Sequence, residues 1–160
     1  MTHLNGTLVL GIGNLLRSDD GLGVHAIQSL QHDARVTVGA HAGVMLLDGG
    51  TQGLSLMAHI SGFTRLLVID AVDVGEAPGT LVRFEGTALD GLPGKASVHQ
   101  LGFADLIIAM KLLGESPAEV VVLGAQPLST DWGAELTPRL QQAFPLLLDV
   151  VLEQLETWAN

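Results

Sequence analysis

Short apolar runs alternate with stretches of helical periodicity along most of this chain. The runs fall at 7–12 (TLVLGI), near 35–38 (RVTV), at 44–48 (VMLLD), 65–71 (RLLVIDA), 80–84 (TLVRF) and 119–124 (EVVVLG), and each is short enough for a strand. Between them, Val24, Ile27 and Leu30 follow the first run, and Leu54, Leu56, Met57 and Ile60 precede the fourth. Phe103, Leu106, Ile107, Met110 and Leu113 repeat at i, i+3, i+4, i+7, and Gly114 with Pro117 marks a helix stop. The C-terminal segment opens on Thr137-Pro138, a cap followed by proline in the first turn, and lines Leu140, Phe144, Leu147, Val151 and Leu155 on one face. Pro145 within it predicts a kink or a division into two helices.

Strands alternating with helices in this order predict an α/β layered fold with a mostly parallel sheet. The turn-rich stretch from Gly75 to Pro93, with APGT and GLPG, predicts an antiparallel excursion at the sheet edge. No internal repeat, low-complexity tract or linker divides the sequence, and its 160 residues are expected to form one domain, 1–160, with ample apolar content (48%) for a core.

Composition removes several classes of function. There is no cysteine, which excludes disulfides, thiolate metal sites and a cysteine nucleophile. A formal net charge of −10, with only seven Lys and Arg, argues against nucleic acid and against an anionic membrane surface. No run reaches the length of a membrane span, and the opening MTHLNGTLVLGIGN lacks the basic start and small-residue cleavage site of a secretory signal, so a cytoplasmic protein is expected.

The chemistry concentrates after the first strand. In an open parallel sheet, ligands bind outside the carboxyl ends of the strands, and GIGNLLRSDDGLGV delivers Asp19 and Asp20 there. Asp70 ends the buried run LLVIDA at such a strand tip, and His99, in SVHQLG, stands immediately before the Phe103 to Leu113 helix. Asp20, Asp70 and His99 therefore reach one rim and read as a metal-binding trio. An imidazole with two carboxylates and open positions suits nickel, zinc or iron better than magnesium. Each residue also has a structural explanation: Asp19 or Asp20 could cap the following helix, Asp70 the next turn, and His99 a helix start. The convergence of three favours chemistry.

Other candidates are weaker. Leu16 occupies the place of the third glycine in a dinucleotide fingerprint, and no G-x-S-x-G, H-E-x-x-H or G-K-[ST] motif is present, so no organic cofactor is expected. His3, His25, His32, His41 and His59 show no partner spacing and read as solvated or packed. Trp132, in QPLSTDWG, reads as a residue packed against the C-terminal helix, with a mobile docking role as the alternative.

The segments GIGNLLRSDDGLGV, LDGGTQG, LLVIDAV, APGT and SVHQLGFADLI, in this order and over nearly the whole chain, resemble the nickel-iron hydrogenase maturation endopeptidases. The resemblance implies a three-layer sandwich, with a five-stranded twisted, mostly parallel sheet between helices. It also implies a metal site at Asp20, Asp70 and His99 and recognition of the substrate by Asp48, Gly49, Gly50, Thr51, Gln52 and Gly53. The implied substrate is the precursor of a hydrogenase large subunit, whose C-terminal extension is removed once nickel has been inserted. The nickel held by that precursor would be the recognition signal, and the protease, aspartic-type in its use of carboxylates, would be a monomer when free. The family commonly has Glu in the first loop where this chain has Asp20, so Asp19 enters as a possible contributor.

Without cysteine or a Ser-His-Asp set, hydrolysis most economically uses the metal, with either carboxylate as ligand or general base. Two rival readings keep the same trio: a self-sufficient zinc-type metallohydrolase, and a non-catalytic nickel-binding maturation module.

Overall fold

The computed structural model describes residues 4–37, 43–93 and 103–160. Five strands form one sheet: β1 (Leu4–Ile12), β2 (Met45–Gly50), β3 (Phe63–Ala71), β4 (Leu81–Glu85) and β5 (Glu119–Ala125). Their order is β2-β1-β3-β5-β4; β4 runs antiparallel to β5 at the edge, and the other pairs are parallel. The edge excursion expected between Gly75 and Pro93 is this β4.

The central strands carry apolar residues without alternation because both faces are covered. In β3, Leu66, Leu67, Val68 and Ile69 are all fully buried. Leu67 and Ile69, with Val9, Val121 and Leu123, meet α1 (Leu22–Leu30) and α5 (Pro138–Ala159) through Ile27, Leu30, Leu140, Leu147 and Val151. Leu66 and Val68, with Leu8, Leu10 and Val122, meet Leu56, α3 (Met57–Ile60) and α4 (Phe103–Leu113) through Ile60, Phe103, Leu106 and Met110. The result is the three-layer α/β arrangement. The α4 helix stops where its sequence says it should: Gly114 takes φ +68°, its N–H bonds to Lys111 O, and Glu115 N–H bonds to Met110 O, a Schellman turn.

Two expectations are corrected. The described part of the RVTV stretch, Arg35–Thr37, is no strand: α2 (Ala34–Thr37) is a single helical turn built on Asp33, and Val38 lies outside the described residues. The Asp33 carboxylate accepts the Arg35 amide at 2.9 Å and the Arg35 guanidinium at 2.8 Å, while its carbonyl accepts from Val36 and Thr37. With Val36 as its one buried residue, the segment has too little apolar surface to hold a place in the sheet. Pro145 does not divide α5, which runs unbroken for 22 residues. Pro145 and Gln141 both lie on the exposed face of α5, so the helical bond that Pro145 cannot give to the Gln141 carbonyl is lost on the solvent side.

Among the described residues, no helix is long and apolar enough to cross a membrane. The sheet order sets which loops share the carboxyl edge. β1 and β3 are parallel neighbours, with Gly11 paired to Ile69, so the loop after β1 and Asp70 emerge side by side. Gly23 in α1 permits this closeness: a Cβ there would lie 2.1 Å from Ile69 O and 2.5 Å from Ile12 O.

Candidate active site

A pocket of about 180 Å³ opens at the carboxyl edge of the sheet, lined by both Asp20 and Asp70. Asp70 is carried on the tip of β3, and Asp20 on the 3-10 turn Ser18–Gly21 between β1 and α1. Both are nearly fully buried, at 4% and 7% exposure. The structure thus brings together two members of the sequence trio. His99 lies outside the described residues, as do His3 and His41; Leu92 and Pro93 before that segment, and Phe103 and Ala104 after it, line the same pocket. Among the described residues, no group of three or more acidic or imidazole side chains is gathered to hold a metal.

Asp20 is fixed from the backbone. The amide of Asn14 donates to its Oδ2 at 2.9 Å, and Gly13, at φ +135°, lets the end of β1 pass close to it. A Cβ at Gly13 would fall 1.8 Å from Asp20 O, so the turn closes only over glycine.

Asp19 has a different task from its neighbour. Its fully buried carboxylate accepts from the amides of Leu128, Ser129 and Thr137 at 2.9, 3.2 and 2.8 Å, and from the Thr137 hydroxyl. The expected side-chain cap on the following helix is absent: neither the 3-10 turn nor α1 has a side-chain cap hydrogen bond. Asp19 instead organises the loop between β5 and α5, the helix that starts after Thr137.

That loop supplies Pro127 and Thr130 to the pocket wall, and it is stitched to the first loop. Ser18 N–H donates to Gly133 O, Gly133 N–H to Leu16 O, Asp19 N–H to Ser129 O, and Ser18 Oγ to Asp131 O. Ser18 sits at φ +49°, the one described non-glycine residue in the left-handed region, and these bonds hold it there.

Three polar pocket residues, Asp73, Thr130 and Arg17, were not singled out from the sequence. Asp73 receives a hydrogen bond from the Gln126 amide at 3.0 Å and another from the Gly75 amide, which together hold its carboxyl below the usual range. The buried Gln126 also accepts from the amide of Val74 at 2.7 Å, fixing the turn that follows β3. Thr130 is contributed by the second loop. Arg17, the cation among the pocket residues, lies over the ring of Trp132 at 4.2 Å to its centroid. Arg17 stands two residues before the acids in RSDD, a signal available in the sequence. Trp132 does not pack on the C-terminal helix; it is 71% exposed and stacks on Arg17.

The segment Asp48 to Gly53 leaves β2, beside β1, and is not part of the pocket wall. Asp48 Oδ1 accepts the Gly50 amide at 3.0 Å, Gly50 and Gly53 take positive φ, and Gly13 N–H donates to Gly50 O. Asp48, Thr51 and Gln52 are exposed, in reach of a partner along the edge strand. Of the remaining histidines, His32 and His59 are exposed, while His25 in α1 is partly buried. Its Nε2 is buried without a hydrogen-bond partner among the described residues, and burial lowers its pKa.

Comparison with known proteins identifies relatives of the whole fold. A family model described as hydrogenase maturation protease matches residues 24–154, a span that includes Asp70 and Asp48 to Gly53 and begins beyond Asp20. The chain is similar to the hydrogenase expression/formation protein HupD of Bradyrhizobium diazoefficiens, 40% identical over 157 residues that cover 96% of this chain and 80% of that protein. It is 34% identical to the hydrogenase 2 maturation protease of Escherichia coli, over 92% of this chain and 89% of that one. Among solved structures, the hydrogenase maturating endopeptidase HybD from E. coli has a TM-score of 0.81 at 31% identity, covering 95% and 93% of the two chains.

Proposed function

The chain belongs to the hydrogenase maturation protease family, and on that premise we propose that it cleaves the C-terminal extension from a nickel-iron hydrogenase large-subunit precursor after nickel insertion. The observation that carries this reading is the meeting of Asp20 and Asp70, from separate segments, in one pocket at the sheet edge.

Nickel is read here as part of the substrate. Two nearly buried carboxylates offer the oxygen donors that a divalent ion accepts, and His99 would add an imidazole from the segment outside the described residues. Bound in the precursor, the ion supplies Lewis-acid polarisation at the cleavage site. The chain's own residues do the rest. Asn14 N–H holds one Asp20 oxygen and so fixes this carboxylate in the pocket wall. Asp70 stands at the buried end of β3, so its position costs little reorganisation when substrate arrives. A carboxylate not engaged as a ligand takes the proton of the attacking water as general base. The Asp48 to Gly53 segment, exposed at Asp48, Thr51 and Gln52 and with two left-handed glycines, offers backbone groups to an extended polypeptide.

The test is cleavage of a purified nickel-loaded precursor beside the same precursor without nickel, by wild type and by His99→Ala. Cleavage of the loaded form alone, lost in the variant, is the expected result. Equal cleavage of both forms would replace this reading with a self-sufficient metallohydrolase. Binding without cleavage would replace it with a non-catalytic maturation module.

A further inference from the structure

Beside the two aspartates lies a surface that the proposed reaction does not itself require. The loops 14–20 and 126–137 are tied by four backbone or hydroxyl bonds and by the buried Asp19 carboxylate, so their backbones are fixed relative to each other. From this fixed base, large apolar side chains stand in water: Leu16 at 59%, Leu128 at 57% and Trp132 at 71% exposure. A tryptophan held in place yet left exposed is suited to a partner, because the ordering of its surroundings is complete before contact.

Arg17 joins this surface to the pocket. Its guanidinium stacks on the Trp132 ring and forms no ion pair with a carboxylate of the described residues, although Asp20, Asp70 and Asp73 line the same pocket. Its stack with Trp132 restrains it, and its N–H donors remain available. A main-chain carbonyl oxygen is an acceptor that Arg17 meets without bringing a further charge into the pocket.

We propose that Arg17, Trp132, Leu16 and Leu128 seat the extended polypeptide of the precursor next to Asp20, with Arg17 donating to a backbone carbonyl and an apolar substrate side chain covering Trp132. This rests on the proposed protease reading and adds to it a specificity-determining surface separate from the Asp48 to Gly53 segment. The substrate residue that covers Trp132 is accordingly apolar. Trp and Arg are also the residue types that most often dominate such contacts.

Two measurements test it with the nickel-loaded large-subunit precursor as probe. Trp132→Ala and Arg17→Gln should each raise KM by about tenfold or more, with the loss carried in KM rather than kcat. Leu112→Ala, at a still more exposed apolar residue on α4, is the control and should leave both unchanged. Trp158→Phe leaves Trp132 as the single tryptophan; its emission should move to the blue and resist acrylamide when the precursor binds. Wild type that cleaves while both variants keep its KM, or whose Trp132 emission does not respond, overturns the inference and leaves the protease reading standing. Wild type that neither binds nor cleaves the precursor overturns the protease reading, and this inference with it.

Discussion

The carboxylate of Asp19 accepts both the amide and the hydroxyl of Thr137 at 2.8 Å, across 118 residues of sequence. One acidic side chain from the first loop thereby fixes the start of the last helix, while its neighbour Asp20 is left to the pocket. The division of labour is geometric: Asp19 faces the amides of Leu128 and Ser129, and Asp20 faces the amide of Asn14 and the pocket.

Asp19→Asn places an amide NH₂ among donors that all require an acceptor. A buried group left unsatisfied there should cost about 2–4 kcal/mol, read as a lower denaturant midpoint. Asp20→Asn keeps an oxygen for the Asn14 amide and should stay within about 1 kcal/mol of wild type while losing cleavage. Equal stability losses in the two variants would refute this division.

Gly13→Ala should be among the most damaging single substitutions. The new Cβ meets Asp20 O at 1.8 Å, and φ +135° is closed to alanine, so the loop must open and carry Asp20 away. We expect a loss of more than about 3 kcal/mol or failure to fold, whereas Gly75→Ala, also at positive φ but in open space, should cost no more than about 2 kcal/mol. Comparison of melting temperatures decides it.

His25 gives stability a dependence on pH. Burial lowers its folded-state pKa from the ordinary 6.5, so the unfolded chain takes up the proton first as pH falls. The contribution of the neutral imidazole is full above 6.5 and is lost as pH falls through the lower folded-state value. Replacement by a flexible apolar side chain, His25→Met, removes this term. Urea midpoints measured from about pH 8 to pH 5 should fall less steeply in the variant than in wild type.

The layered fold was legible because each buried strand is a short, dense apolar run and each helix has a clear period; Leu66 to Ile69 and Phe103 to Leu113 leave little choice. The RVTV stretch misled because β-branched content says nothing of the Asp33 side chain that turns the backbone. Pro145 misled because the cost of a lost helical bond depends on whether the orphaned carbonyl faces water. At the site, strand-tip logic found Asp20 and Asp70, since parallel neighbours must end on one edge. Asp19's partners and the Arg17–Trp132 stack were not legible: both join segments more than a hundred residues apart, and no local pattern encodes which loops meet. The same limit applied to Trp132, whose apolar ring suggested packing against a helix until its cationic partner was located.

The length of the first-loop acid is itself open to test, because the resemblance read from the sequence implies Glu where this chain has Asp20. Asp20 reaches the pocket from a turn tied by the Asn14 amide, and the pocket, about 180 Å³, has room for one more methylene. Asp20→Glu keeps the charge and extends the reach, at the expense of the Asn14 bond, so it should retain cleavage within about tenfold of wild type. Asp20→Asn and Asp70→Asn remove the charge that a ligand or general base needs and should each lower cleavage by about a hundredfold or more. Single-turnover assays with a nickel-loaded precursor separate the two expectations. If Glu and Asn at position 20 were equally inactive, the position of the carboxylate would matter as much as its charge, and the Asn14 amide would be an essential support. If both were fully active, Asp20 would have no part in the reaction, and the site would have to be rebuilt around Asp70.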